Sequence, residues 1–269
     1  MPERLYAATP ARLSTYRDCP RKYRLAYLDR PAPVRTAGRG GTSVGASVHV
    51  ALARWWDLPR ARRTPEAGGT LLTGAWVDEG FRDTAQSAAA RRRAAADVER
   101  YLAGIDPDHE PLAVERTVSV RTARASLWGR VDRLDDRAEG LVVVDYKTGR
   151  RAPTEDDARD SQALAVYAAG AAALMHRPCR RVELHHLPSG TVAGFEHTEQ
   201  TLDRHLRAAD DLAATLADLD ARHPGMTPQQ RREEFPARVA PRCGACELRP
   251  SCGPGQAVPA EAPWSGVPD

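Results

Sequence analysis

Apolar positions recur along the chain with two different periods. From residue 42, TSVGASVHVALARWW spaces Val44, Val48, Ala51, Leu52 and Trp55 as a helix does. Residues 58 to 70 read as a loop and 71 to 103 as helix, with the Arg91-Arg92-Arg93 run as a solvated face. After residue 110 the period falls to two. PLAVERTVSVRT, ASLWGRVDRLDD and GLVVVDYKTGR predict three strands joined by short turns, an antiparallel meander. An Ala-rich helix over 157–176 follows, then a strand pair, RVELHHLP and TVAGFEHT, and a helix over 199–221. Upstream, Ser14 can cap a helix in which Tyr16, Tyr23 and Tyr27 alternate with Arg17, Arg21, Lys22 and Arg24, and PAPVRTAGRGG reads as a flexible loop. Downstream, a Pro/Arg-rich stretch leads to CGACELRPSC at 243–252. The tail from Gly253 is expected to be disordered, and no internal repeat is visible.

The 269 residues are enough to bury a full α/β core. The pattern divides them into an N-terminal helical region (1–57), a helical insertion (58–110), a core (111–221), a cysteine segment (222–254) and a tail (255–269). No apolar run approaches the ~20 residues of a membrane span. The start, MPERLYAATPARL, lacks the basic-then-apolar pattern of a secretory signal. A cytoplasmic location is expected, where five cysteines read as metal ligands or spectators rather than disulfides. The net charge of +3 does not by itself argue for nucleic acid. Of 39 basic residues, however, only Lys22 and Lys147 are lysine. In so arginine-biased a chain a lysine suggests a need for a compact point charge.

Lys147 lies in VVVDYKTG. Residues two apart in a strand share a face, so Asp145 and Lys147 project together while Val144 and Tyr146 face the other way. With the preceding turn centred near Ala138 and Glu139, Asp132 of WGRVDRLD sits across from Asp145. Two carboxylates facing across a ladder repel. A divalent cation between them reverses the sign, and hard oxygen ligands suit Mg²⁺ or Mn²⁺. Such a cation would polarise a phosphate, with Lys147 beside it to position the attacking water or offset developing charge. An isolated D-x-K is more often a surface ion pair. Here it follows four apolar residues, Leu141 to Val144, which suggests a buried strand.

GRVDRLDD followed by VVVDYKTGR resembles motifs II and III of the PD-(D/E)XK nuclease superfamily, in its RecB-like branch. The resemblance implies a restriction-endonuclease-like α/β core, a mixed central sheet flanked by helices. It also implies a metal-dependent deoxyribonuclease, an exonuclease in particular. The G-x-x-x-H context upstream is matched by Gly45 to His49, so His49 joins Asp132 and Asp145 as an expected metal ligand, with a backbone carbonyl near Tyr146 completing the set. The branch carries Q-x-x-x-Y on the helix after the lysine strand. Tyr167 matches as a catalytic residue, whereas Gln162 lies five residues before it and Ala163 holds the glutamine position.

C-x₂-C-x₅-C, formed by Cys243, Cys246 and Cys252, is a metal pattern one ligand short. The missing ligand can be Cys179 or a histidine around Zn²⁺, or it can be Cys19. Cys179, in HRPCRRVEL, also reads as a small buried apolar residue. LSTYRDCPRKYRLAY, which holds Cys19, resembles the N-terminal segment of iron–sulfur RecB-like nucleases, shared with Cas4 proteins. That resemblance implies a [4Fe–4S] cluster on Cys19, Cys243, Cys246 and Cys252, acting as a staple between distant parts of the chain. Beside it, Tyr16, Arg21, Tyr23 and Arg24 are candidates to stack bases and hold phosphates of a single strand, or simply a packed tyrosine stripe. The expected partner is DNA, single-stranded or end-exposed, in repair, recombination or foreign-DNA processing, with a helicase or recombination partner and no membrane. The competing reading is a non-catalytic nucleic-acid-binding module with an architectural cluster.

Overall fold

A computed structural model of the chain describes residues 5–268; the first four residues of the N-terminal region and the last residue of the tail lie outside them. A short strand, β1 (Tyr6–Ala8), leads into α1 (Pro10–Asp18), which Thr9 caps by accepting from the Arg12 amide. Ser14 is therefore not the cap; it lies inside α1 and its hydroxyl donates to the Ala11 carbonyl. The single Tyr/Arg helix expected here is broken at Cys19-Pro20, because proline cannot supply the amide that would continue α1. The chain restarts as α2 (Pro20–Tyr23), capped by the Cys19 sulfur, and ends in a π-helical turn, Arg24–Leu28.

The helix α3 (Gly40–Trp56) carries the apolar stripe read from the sequence. The helix expected over 71–103 is two helices, α4 (Pro65–Gly74) and α5 (Thr84–Ala103), each begun by its own cap, Thr64 and Asp83. The strands β2 (Ala113–Arg121), β3 (Ala125–Arg137) and β4 (Gly140–Lys147) form the expected meander. The helix expected over 157–176 is likewise split, into α6 (Glu155–Arg159) and α7 (Gln162–Met175), with a fresh cap at Ser161. Strands β5 (Cys179–His186) and β6 (Val192–Glu196), then α8 (Glu199–Arg222), follow closely as expected. Two short helices, α9 (Pro228–Glu234) and α10 (Gly253–Gln256), flank the cysteine segment.

The sheet is mixed, with order β1-β3-β4-β5-β6 and β2 on the other edge of β3. The long β3 organises it. β2 runs antiparallel along nearly its whole length, while the opposite edge is shared by two strands. β1 pairs in parallel with Ala125–Leu127, and β4 pairs antiparallel with Arg133–Arg137. Residues 128–132 are left without a strand partner on that edge. Helices α3, α4 and α5 bury Val142, Val144 and Tyr146 on one face; α7 buries Val131, Val143 and Val182 on the other. α1, α2 and α8 gather around Tyr23, Leu127 and Phe235 at one end.

The stretch from Gly253, expected to be disordered, is bonded to the body. The Gly40 amide donates to Pro263, the Glu261 amide to Gly244, and the Gln86 side chain to the Val267 carbonyl. Composition gave no hint of this, because the tail's half of each contact is a backbone group, which every sequence offers. No helix among the described residues is long and apolar enough to cross a membrane.

Candidate metal centre and cysteine cavity

The register of β3 against β4 pairs Arg133 with Val144, which sets Asp132 opposite Asp145 as the turn implies. Both residues sit just beyond the last pair of the ladder, where β4 separates from β3. There the Tyr146 amide donates to Asp132 Oδ2 at 2.7 Å. The ring of Tyr146 points to the other face and packs edge-on against His49 and Tyr101. Asp145 is in direct ion contact with Lys147, yet its Oδ2 is fully buried and receives no well-aligned hydrogen bond. Burial pushes the Asp145 carboxyl up, Lys147 pulls it down and Asp132 pushes it up again; the net shift is upward.

His49 reaches the same place from α3. Its Nδ1 lies 3.3 Å from Asp132 Oδ1 and 3.9 Å from Glu115 Oε1. Burial lowers its pKa, but Asp132, Asp145 and Glu115 outweigh that and raise it. Gly45 brings α3 close, since a methyl group there would lie 3.3 Å from the Thr148 hydroxyl just after Lys147.

Glu115 was not among the sequence candidates. It stands in β2 with φ of 49°, a left-handed backbone rarely adopted outside glycine. Its neighbours pair with Arg133 and Val131, so it falls opposite Asp132. One ligand atom each from His49, Glu115 and Asp132 lie within 4.8 Å of one another, a set that could hold a metal ion. Burial raises the pKa of Glu115, and the Arg130 guanidinium, 2.9 Å away, opposes the rise. The same register argument that faced Asp132 with Asp145 would have found Glu115 across the other ladder.

Tyr167, on α7, packs against Gly129, three residues before Asp132; a methyl group at Gly129 would come within 2.3 Å of its ring. Burial, then the charges of Asp145 and Asp132, push its pKa up to about 12. Gln162 occupies the first position of α7 and its Oε1 accepts from Arg17 of α1 at 2.5 Å. Behind the centre, Arg133 is buried between Asp135, Tyr101 and Tyr146, and Tyr101 donates to His185, which donates to Glu183. Nothing in the sequence around Arg133 singles that network out.

The four cysteines read as one group line one cavity of about 140 Å³, together with Lys22, Leu25, Leu248 and Gly255. Cys19 arrives from the α1–α2 junction, and the other three from the C-terminal segment. Cys179 is elsewhere, buried in the core with its thiol donating to the Leu141 carbonyl. Of the four residues proposed to bind nucleic acid, Tyr23 is fully buried and its hydroxyl is bonded to Asp220. Arg24 is tied to Asp29 and the Arg231 carbonyl. Tyr16 packs its edge on Tyr23, and Arg21 is half-buried with no hydrogen-bond partner for its buried Nε. The packed tyrosine stripe describes Tyr23 best.

No curated protein matches the chain. A family model described as the PD-(D/E)XK nuclease superfamily matches residues 7–253, a span that takes in the His49, Glu115, Asp132, Asp145 and Lys147 group and all five cysteines. The chain belongs to the PD-(D/E)XK nuclease superfamily.

Proposed function

We propose that the protein is a Mg²⁺- or Mn²⁺-dependent deoxyribonuclease that hydrolyses phosphodiester bonds in single-stranded or end-exposed DNA. The observation that carries this reading is the convergence of His49, Glu115 and Asp132, with Asp145 and its partner Lys147 across the ladder from Asp132, at the point where β3 and β4 part. Glu115 and Asp132 brought this close repel, and a divalent cation between them would reverse that sign. A divalent ion held there would polarise the scissile phosphate and lower the pKa of an attacking water. Lys147 orients that water and Asp145 anchors Lys147. Tyr167 closes the α7 side. The resemblance to RecB-like nucleases supports action from strand ends, with a helicase or recombination partner supplying the strand in repair or foreign-DNA processing. Five free cysteines fit a reducing compartment such as the cytoplasm.

The cysteine cavity is read as the seat of a [4Fe–4S] cluster on Cys19, Cys243, Cys246 and Cys252. Tetrahedral zinc at ~2.3 Å from each sulfur requires sulfurs about 3.8 Å apart. All four cysteines line the one cavity, and four thiolates are what a [4Fe–4S] cluster requires.

The test is incubation of end-labelled single-stranded DNA with Mg²⁺ or Mn²⁺, comparing the protein with Asp145→Ala and Lys147→Ala. Cleavage should fall at least ~100-fold in both. Products unchanged in Asp145→Ala would rule out catalysis at this centre and leave a non-catalytic binding module.

A further inference from the structure

The sheet face that carries the metal centre continues beyond it, uncovered. Across the outer half of the β2–β3 hairpin, Thr117 pairs with Arg130, Ser119 with Trp128 and Arg121 with Ser126. Successive residues alternate between faces, so these six share one. The opposite face is filled by Val118, Leu127, Gly129 and Val131 beneath α7 and α8, whereas Thr117, Ser119, Arg121, Trp128 and Arg130 are all exposed. At Glu115 and Asp132 this open face runs into the centre itself.

Trp128 is the conspicuous member. Its side chain is 44% exposed in the middle of a strand, and among the described residues its ring touches no other aromatic and its indole N–H has no acceptor. An open indole gives up apolar burial that a folded chain normally takes, and large exposed aromatics tend to mark binding surfaces. Arg130 is its neighbour two residues on. Arg130 is 66% exposed, with Nε against Glu115. Arg121 closes the far end and has no ion-pair partner among the described residues. The edge of β3 over 128–132 is the one left without a strand partner, so nothing in the sheet fences this track from the centre.

An aromatic ring with flanking guanidinium groups, and no acid directed at the ring, matches a base stacked between phosphates. It matches a duplex poorly, because the bases of a duplex are stacked on one another. Asp132 lies four steps along the strand from Trp128, about 13 Å, so the base stacked on Trp128 belongs to a nucleotide near the reacting one but not to it. We infer that the outer face of the β2–β3 hairpin is the track for the single strand, with Trp128 as its stacking platform and Arg130 and Arg121 as its phosphate contacts. The inference rests on the nuclease reading and adds where the strand lies. It replaces Tyr23 as a stacking candidate with a ring that is open.

The track is tested by fluorescence anisotropy of a labelled oligothymidylate in Ca²⁺, with thermal unfolding run in parallel to confirm each variant is folded. Trp128→Ala should weaken binding roughly 5- to 150-fold, while Trp128→Phe keeps most of the affinity. Arg130→Ala and Arg121→Ala should each weaken it and flatten its dependence on salt. Affinity for a blunt duplex of equal length should change little in Trp128→Ala. Unchanged oligonucleotide affinity in a folded Trp128→Ala overturns the track, as does a wild-type dimer that Trp128→Ala makes monomeric, which would assign the face to a second copy. Wild-type protein that cuts DNA while Trp128→Ala binds normally overturns the track alone. Wild-type protein that neither binds nor cuts overturns the nuclease reading with it.

Discussion

Gly129 and Tyr167 form a pair that neither residue explains alone. The ring of Tyr167 reaches its place beside Asp145 and Asp132 by lying on the backbone of β3, and only a residue without a side chain leaves room for it. Gly129→Ala should therefore cost about 1–3 kcal/mol, because the ring or the strand must shift. In a Tyr167→Ala background the same change should cost less than about 0.5 kcal/mol. Urea denaturation of the four proteins of this cycle checks it; additive costs would mean the two do not press on each other. Asp132, Asp145 and Lys147 were legible from spacing and register, and His49 only through the family resemblance. Glu115 stands in no motif; what brings it to the centre is the β2–β3 pairing, which sets it across from Asp132.

Strands were easier to read than helices. Period-two patterning and short turns left one register for β2, β3 and β4, and the observed pairing follows it. Helix boundaries failed where composition stayed helical but a capping residue intervened, as at Asp83 and Ser161. A cap acts through one hydrogen bond, which an Ala-rich average hides. At the junction of β6 and α8, His197 shows what element packing does to a titratable group. It is 1% exposed, its Nδ1 faces the Thr201 hydroxyl at 3.1 Å, and its Nε2 is buried without a partner. Burial, then the nearby His205 and Arg204, push its pKa down from 6.5 to about 4. A lowered histidine means that the unfolded chain binds the proton first, so stability is complete above pH 6.5 and falls as pH drops towards 4. The loss should reach about 2 kcal/mol at pH 5. His197→Asn, which keeps a polar atom near Thr201 but does not titrate, should show a smaller fall in melting temperature between pH 7.5 and pH 5. Equal falls in the two proteins would place the acid sensitivity elsewhere.

At the scale of the whole chain, the cysteines join parts that are far apart in sequence, and the protein already binds those parts without them. Arg242 donates to the Asp18 carbonyl at 2.6 Å, the Thr36 amide to Glu247 at 2.8 Å and the Ser251 hydroxyl to Val34 at 2.9 Å. Lys22 pairs with Glu247 at 3.2 Å beside the cavity. A cluster on Cys19 and the C-terminal triplet would close a loop of 224 residues, 243 minus 19. By the chain-entropy argument used for cross-links, that closure restrains the unfolded chain by about 5 kcal/mol. The substitution that isolates this effect is Cys19→Ser. Cys19 also caps α2 through its sulfur, and serine preserves a cap while giving up the thiolate. The variant should lose the broad absorbance near ~400 nm and its iron. It should unfold at markedly lower denaturant and become open to proteolysis between α2 and α3, while keeping its helix content. Cys179→Ala, whose thiol meets only the Leu141 carbonyl and core side chains, should keep both colour and iron. A colourless wild-type protein, purified without oxygen and carrying one zinc per chain, would replace the cluster with zinc. A brown Cys19→Ser with unchanged stability would remove Cys19 from the site and leave the two ends joined by hydrogen bonds and ion pairs such as Lys22 with Glu247.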